Sequence, residues 1–569
     1  MKKVIYGAFV TLAAVAASVS VTSCEDMLKP DSDLVVYPEE YTIDTPSDST
    51  YSMVGIFHLL QKVADRTVVL GDVRSDLTSL TAHAGKDLME LASFGDISKD
   101  NIYNQPQDYY AIINNCNYFI ENADSTYKKQ GVKVFEKELA AIHTFRAWAY
   151  LQLVTNYGEV PYYTEFLGTQ LAGEEVMKQP KKGIKEVCNL LIDDLLPWQQ
   201  SLPPAYLSAD YFIPVRLMLG ELCLWAERYE EAAQWYHDYL TDVRNPEPIV
   251  TELRYLNWSW TPGDPLPSEP RISGLFGITS LADILMESSI MDGTISQLSN
   301  LYSSTQDNYY YYEIFCSESA KEQSAAQSVY KVVVDTELHR DTIKIGPDSI
   351  LSEMRNVYAL GDLRLWYVLS LDANPNSEST KFNDERLINA KYSSTRTSYI
   401  RLYRDVYVYL HFAEALNRAG FPTAAFAILK YGLCEKNTLE RAGGDPISAE
   451  ERAKAGTLLD FDPQVFTEEN TMGLHARGCG DDVDANPEYV IPAGADTIQW
   501  VEDRIFEESA LEGIFEGWRY YDLIRLSLRR GDNSILADAI AKRNGKDNVD
   551  TSLRSKLMDS KNWFLPLQK

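Results

Sequence analysis

Two stretches of this chain repeat one packing rule. At Leu219-Gly220, Ala232 follows Gly220 by twelve residues and Tyr236 follows it by sixteen. At Phe412-Ala413, Ala425 and Leu429 stand at the same two spacings. A small residue on each of two consecutive antiparallel helices lets their axes approach closely, and pairs of this kind stack into a solenoid in which each helix touches its neighbours. The periodicity elsewhere agrees. Apolar positions recur at helical spacing from near Thr50, interrupted at Leu70-Gly71-Asp72, and again over Tyr109–Tyr127. Val134–Tyr157 continues the pattern and stops at Gly158, with Pro161 beyond. The expectation is a mainly α fold, with helical repeats over about 49–245 and 396–445.

The spacing is that of tetratricopeptide-like pairs, matched in part: Arg216, Cys223 and Tyr239 stand where that repeat prefers Trp, Tyr and Ala. Between the repeats the chain changes character. Asn245–Pro270 holds Pro246, Pro248, Pro262, Pro265, Pro267 and Pro270, which no helix interior or central strand accepts. Trp258 and Trp260 lie within it, two apart, and share a side if the backbone is extended. Tyr309-Tyr310-Tyr311-Tyr312 reads as a short strand and Val329–Ile345 as a hairpin. Residues of about 246–395 therefore form an irregular, aromatic-rich insertion containing short strands.

The C-terminal part, about 498–530, is helical again. Glu502–Arg525 lacks Pro and places Ile505, Leu511, Ile514, Phe515 and Trp518 at helical spacing. Glu508, Glu512 and Glu516 stand four apart; Arg519, Asp522 and Arg525 follow at threes. On one helix such a ladder is a solvated face of acid–base pairs worth a few tenths of a kcal/mol each. Gly517 is out of place there, and predicts another element packed tightly against the backbone.

Composition bounds the function. The chain has 569 residues, a formal net charge of −30 and 45% hydrophobic residues, a globular composition whose acidity argues against nucleic acid. Met1–Cys24 has a basic start at Lys2-Lys3, an apolar stretch and the ending Val21-Thr22-Ser23-Cys24, so residues 1–23 read as a lipoprotein signal peptide with Cys24 as the lipidated residue. Residues 24–48, rich in Pro and Asp, read as a tether into one domain spanning 49–569. Of the remaining cysteines, Cys116, Cys188, Cys223 and Cys434 sit in helical patterns as small hydrophobes, and none forms a Cys-x-x-Cys. His475-Ala476-Arg477-Gly478 and Gly480 predict a tight loop. Asp482, Asp484 and Asn486 have calcium-loop spacing, but Pro487 stands where the Gly is required and Ala493 where the bidentate Glu is, so no metal is assigned. There is no phosphate loop, dinucleotide fingerprint, His-Glu-x-x-His or Gly-x-Ser-x-Gly, and no cofactor is expected.

Several segments resemble the SusD/RagB family of Bacteroidetes nutrient-uptake lipoproteins. Glu508, Glu512, Phe515-Glu516-Gly517, Arg519 and Asp522-Leu523-x-Arg525 resemble its C-terminal signature, with Ser509, Gly513 and Leu526 as departures. Glu138, Arg146-Ala147, Tyr150 and Tyr157-Gly158-Glu159-Val160-Pro161 resemble a second signature, and Tyr399-Ile400-Arg401, Asp405 and Ala413–Asn417 a third. Leu70-Gly71-Asp72, Asp76, Gly361-Asp362-Leu363-Arg364 and Trp563–Leu567 fall where the family has similar segments, and Glu25-Asp26 resembles a surface-export signal. The resemblance implies a protein lipid-anchored in the outer membrane and facing the exterior. Such a protein is no enzyme; it captures oligosaccharide or peptide and delivers it to a TonB-dependent, SusC-like channel. The alternative is a helical-repeat scaffold lipoprotein without its own small ligand. Sugars stack on exposed aromatic rings held by stiff backbone, so Trp258 and Trp260 are the first candidate ligand residues and Tyr309, Tyr310, Tyr311 and Tyr312 the next.

Overall fold

The computed structural model describes residues 43, 46–204, 211–242, 284–287, 298–303, 305–306, 309–310, 312–334, 340–345, 362–371, 387–392, 399–434, 437, 447–467, 471, 473–479 and 488–567. The anchor Cys24, both Trp258 and Trp260, Tyr311 and the calcium-like Asp482–Asn486 lie outside them.

The N-terminal half is a run of helices, each packed on the next. Helix α1 spans Pro46–Val73, α2 Pro106–Asn122, α3 Glu136–Tyr157, α4 Ile184–Leu195, α5 Val215–Trp225 and α6 Tyr229–Leu240. Packing runs α1 on α2, α2 on α3, α3 on α4, α4 on α5 and α5 on α6. The expected interruption at Leu70-Gly71 is absent: α1 continues to Val73, because a helix tolerates one Gly where something gains from the missing side chain. The short strand β1 (Thr78–Leu80) follows α1, and a small hairpin of β2 (Lys128–Lys129) and β3 (Val132–Lys133) joins α2 to α3.

The described parts of the insertion are short strands and turns of helix. They comprise β4 (Ile284–Glu287), helix α7 (Leu298–Ser303), β5 (Thr305–Gln306), β6 (Tyr309–Tyr310) and β7 (Ile314–Cys316). The hairpin predicted over Val329–Ile345 is β8 (Val329–Val334) paired antiparallel with β9 (Arg340–Ile345), followed by helix α8 (Leu363–Val368). Strand β10 (Tyr399–Tyr403) pairs with β4 and leads into α9 (Asp405–Arg418), on which α10 (Pro422–Lys430) packs. Because α9 also lies on α6, the helix array resumes after the insertion where it left off. The small-residue rule explains both pairs. A Cβ on Gly220 would stand 2.9 Å from the Tyr236 ring, and Ala413 and Ala425 are fully buried.

The C-terminal part corrects two expectations. His475–Gly478 lies in a short helix, α11 (Leu474–Cys479), and is no loop, since a Cβ on Gly478 would fall 2.1 Å from Asp362 and the close approach explains the Gly. Glu502–Arg525 is two helices, α12 (Thr497–Glu512) and α13 (Trp518–Arg530). The break comes at Gly513–Gly517, where Phe515 and Gly517 take positive φ of 63° and 78°. Helix α12 lies on α9 and α10, while α13 reaches back to α1. An early helix of the chain and a late one are thereby joined.

Candidate functional site

The break between α12 and α13 is where insertion and helical array meet. Gly517 donates its N–H to Asp72 Oδ1 at 2.9 Å, and a Cβ on Gly71 would meet the Gly517 carbonyl oxygen at 1.9 Å. Two glycines thus let α1 and the break touch backbone to backbone, the tight packing that Gly517 signalled. Rings from the insertion close over the other side. Tyr302 on α7 donates its hydroxyl to Asp72 Oδ2 at 2.6 Å and meets Phe515 edge-on at 5.5 Å, and Tyr392 donates to the Phe515 carbonyl at 2.5 Å. Burial pushes the Asp72 carboxyl up to about 7, against the pull of Tyr302 and the Gly517 N–H. Four residues on, Arg519 forks onto Asp76, its Nε 2.8 Å from Oδ1 and an Nη 3.1 Å from Oδ2.

The acidic ladder is buried, which overturns the solvated face expected for it. Glu508 is 2% exposed and Glu512 0%. Their partners come from other elements and not from the same helix. Arg364 on α8 reaches Asp362 and Glu508 at 2.7 Å each and approaches Glu512 at 3.6 Å. Glu512 also takes Arg404 and Arg477 at 3.0 Å each. Glu516 holds Arg404 at 2.8 Å and Lys391 at 2.5 Å. His475 stacks on Tyr489 at 3.7 Å and places Nδ1 2.6 Å from Glu508. Four carboxylates (Asp362, Glu508, Glu512, Glu516) therefore face four cations (Arg364, Lys391, Arg404, Arg477) out of water, with Arg364 and Lys391 supplied by the insertion. Burial alone raises a carboxyl, but Arg364 and His475 hold Glu508 at about 2, and Arg477, Arg404 and Arg364 hold Glu512 well below the usual range. Burial brings Lys391 down to about 8, with Glu516 opposing.

A second buried set joins α13 to the repeats. Arg525 bonds Glu414 at 2.7 Å and Asp522 at 2.8 Å, the one pair of the ladder that lies within a helix as expected. His411 bonds Glu221 at 2.7 Å, and Tyr236 donates to the same oxygen at 2.6 Å. Burial would lower the His411 imidazole; Glu221 outweighs it and holds it up at about 9. His411 is thus a satisfied core residue. At the far end, Leu565 N–H bonds the Asn156 carbonyl at 2.9 Å, and a Cβ on Gly158 would stand 2.8 Å from the Phe564 ring. The Tyr157-Gly158 turn is shaped by the C-terminal Trp563–Leu567.

Among the described residues the charges of these clusters are paired with one another, and they clamp the insertion onto the array. Of the sequence-derived ligand candidates, Tyr309 and Tyr310 form β6, paired with β5. Tyr312 is a correction. It is 6% exposed and stacks on Phe315 at 5.1 Å, because β7, two residues on, pairs with β1 and draws it into the core. Among the described residues no group of His, Cys, Asp and Glu is arranged to hold a metal ion, and the described cysteines Cys116, Cys188, Cys223, Cys316 and Cys434 are buried. Sequence reasoning missed Lys391 and Arg404, which look like surface cations until their carboxylates, more than a hundred residues away, are placed beside them.

No known family profile matches the chain. SusD-like protein P25 of Formosa agariphila is 23% identical over 208 residues, 33% of this chain and 37% of that protein; the match thus spans little more than a third of its length. A solved SusD superfamily protein of Bacteroides vulgatus ATCC 8482 superposes with a TM-score of 0.56 at 13% identity, over 93% of this chain and 96% of its own. A SusD superfamily protein of Bacteroides thetaiotaomicron VPI-5482 gives 0.54 at 15% identity, over 91% and 93%. A SusD-like carbohydrate binding protein of Bacteroides vulgatus ATCC 8482 gives 0.50 at 17% identity, over 84% and 83%. The resemblance read from the separate signature segments holds along the whole described fold: this chain is a protein of the SusD fold, similar to the SusD/RagB family.

Proposed function

We propose that this chain is a surface lipoprotein that captures an oligosaccharide on its aromatic insertion and delivers it to a TonB-dependent outer-membrane channel. The observation that carries the proposal is the buried clamp. Arg364 and Lys391 fasten the insertion to α12 and the break after it, so that segments otherwise too irregular to hold a shape are presented on a rigid base. A scaffold without a ligand has no need of such a base. The likeness to a solved protein described as carbohydrate binding supports the same reading. Trp258 and Trp260, with Tyr309, Tyr310 and Tyr311, are the rings proposed to meet the sugar, and Cys24 is the proposed anchor.

Calorimetry of the chain from Glu25 onward against a panel of polysaccharides and peptides tests the ligand class. Trp258→Ala and Trp260→Ala should each weaken glycan binding by about 1–3 kcal/mol, the range for an aromatic ring stacked on a nucleic-acid base, with the melting temperature unchanged. Saturable binding of peptides alone would replace the glycan reading. A sharp fall in melting temperature with binding per folded molecule intact would make these two Trp core residues.

A further inference from the structure

In a chain of formal charge −30, one exposed element is strongly basic. The hairpin between α2 and α3 reads Tyr127-Lys128-Lys129-Gln130-Gly131-Val132-Lys133, with Lys137 just beyond on α3. Gln130 and Gly131 both take positive φ, 54° and 85°, as a tight two-residue turn requires. All four lysines are exposed, and among the described residues none has a carboxylate within ion-pair distance. The comparable run Lys178–Lys185 differs, for there Lys182 pairs with Glu186 and Lys185 with Glu227 at 2.9 Å. The register is also telling. Lys128 is directly opposite Lys133, a cross-strand like-charge pair that disfavours the hairpin on its own. Two apolar side chains stand out beside them, Tyr127 at 43% exposure and Val132 at 69%. The element is amphipathic and cationic, and among the described residues its lysines have no ion-pair partner, while the Tyr127 ring leans on Phe135 at 6.2 Å.

Its position says what covers it. The polypeptide enters the described fold at Ile43, which bridges Ala123, one residue before the loop that opens the hairpin; Ile43 N–H meets the Asn122 carbonyl at 3.4 Å. The hairpin and the root of the tether share one end of the molecule. Cys24 lies nineteen residues before Ile43, a length of chain that reaches at most about 65 Å. A lipid anchored at Cys24 would hold this end near the bilayer, while the negative charge elsewhere keeps other faces away from an anionic surface. We propose that the Tyr127–Lys133 hairpin, with Lys137, is a membrane contact that binds phosphate-bearing lipid headgroups, its lysines on the phosphates and Tyr127 and Val132 at the acyl boundary. It would serve as the second, polybasic signal beside the acyl chains and set which way the molecule faces. The placement rests on the Cys24 anchor reading; the binding itself does not.

The test uses the chain from Glu25 onward, which contains every described residue and carries no lipid, so its outcome is independent of acylation. Flotation is measured at about 0.1 M salt, where the Debye length is about 10 Å and distant acids are screened. Vesicles of phosphatidylglycerol with phosphatidylcholine should carry the protein, and phosphatidylcholine alone should not. Lys128→Glu, Lys129→Glu and Lys133→Glu combined should lower partitioning by at least about a hundredfold, at about fivefold for each Lys removed, with melting unchanged or raised. Lys182→Glu with Lys185→Glu should leave partitioning unchanged. Absence of wild-type binding to anionic vesicles overturns the proposal, as does equal binding by the triple variant. Binding through these lysines to polygalacturonate and not to vesicles would overturn it in favour of an acidic polysaccharide. Labelling with radioactive palmitate, compared with Cys24→Ala, tests the anchor separately.

Discussion

Glu512→Gln isolates the clamp. Gln has the shape of Glu, so no cavity opens, but a charge facing three arginines disappears. Arg364, Arg404 and Arg477 approach that carboxylate at 3.6, 3.0 and 3.0 Å, and Glu512 is fully buried. The remaining groups would carry an excess positive charge out of water. Removing one partner of a buried ion pair typically costs about 3–5 kcal/mol, because the charge left behind keeps its desolvation penalty. Unfolding entropy of about 2 cal/mol/K per residue makes that about a 3–4 °C fall in melting temperature for a chain this long. Scanning calorimetry reads it directly.

A second variant separates charge from shape. Arg477→Gln added to Glu512→Gln restores the balance of charges, so the double variant should be more stable than the sum of the single losses implies, by at least about 1 kcal/mol. Glu507→Gln serves as control on the same helix, since that residue is partly exposed and its burial already pushes its carboxyl up to about 7. If Glu512→Gln melts with the wild type, or if the two single losses simply add, the charge-clamp reasoning is refuted.

Asp72 predicts a pH dependence of opposite sign to the usual carboxylate. Its folded pKa, about 7, lies above the ordinary 3.8, so its contribution to stability is fully present below about pH 4 and is lost as pH rises through 7. Asp72→Asn keeps an acceptor for the Gly517 N–H and should flatten the stability profile between those values; an unchanged slope in denaturant titrations would count against it. Gly71→Ala should destabilise by at least about 1–3 kcal/mol through the overlap with the Gly517 carbonyl, although Gly to Ala inside an ordinary helix stabilises by about 1 kcal/mol. A raised melting temperature for this variant would show that α1 and the break are not in backbone contact.

What could be read from the sequence was whatever its partner stood near in the chain. Gly220 and Tyr236 are sixteen residues apart, so their packing followed from spacing alone. The β8–β9 hairpin is likewise local. The ladder misled for the converse reason. Glu508, Glu512 and Glu516 do have helical spacing, but the spacing carries no sign of Arg364, 144 residues before Glu508, or of Arg404, 108 before Glu512. Periodicity also hid the break after Glu512, since Ile514, Phe515 and Trp518 keep their apolar rhythm while Gly517 takes positive φ and Gly513 leaves room for the Trp518 ring. The family-like segments nonetheless converge. Asp72 and Asp76 meet Gly517 and Arg519; Arg364 joins Asp362 to Glu508; Asn156 meets Leu565. They are the keys of one clamp, and a clamp demands particular residues at few positions while solenoid helices demand only size and polarity. A fold held in this way can be shared at 13–17% identity over most of its length. By the same logic the proposed ligand surface is expected on insertion segments that the clamp supports without specifying them, and Trp258 and Trp260 are the proposed residues whose substitution tests it.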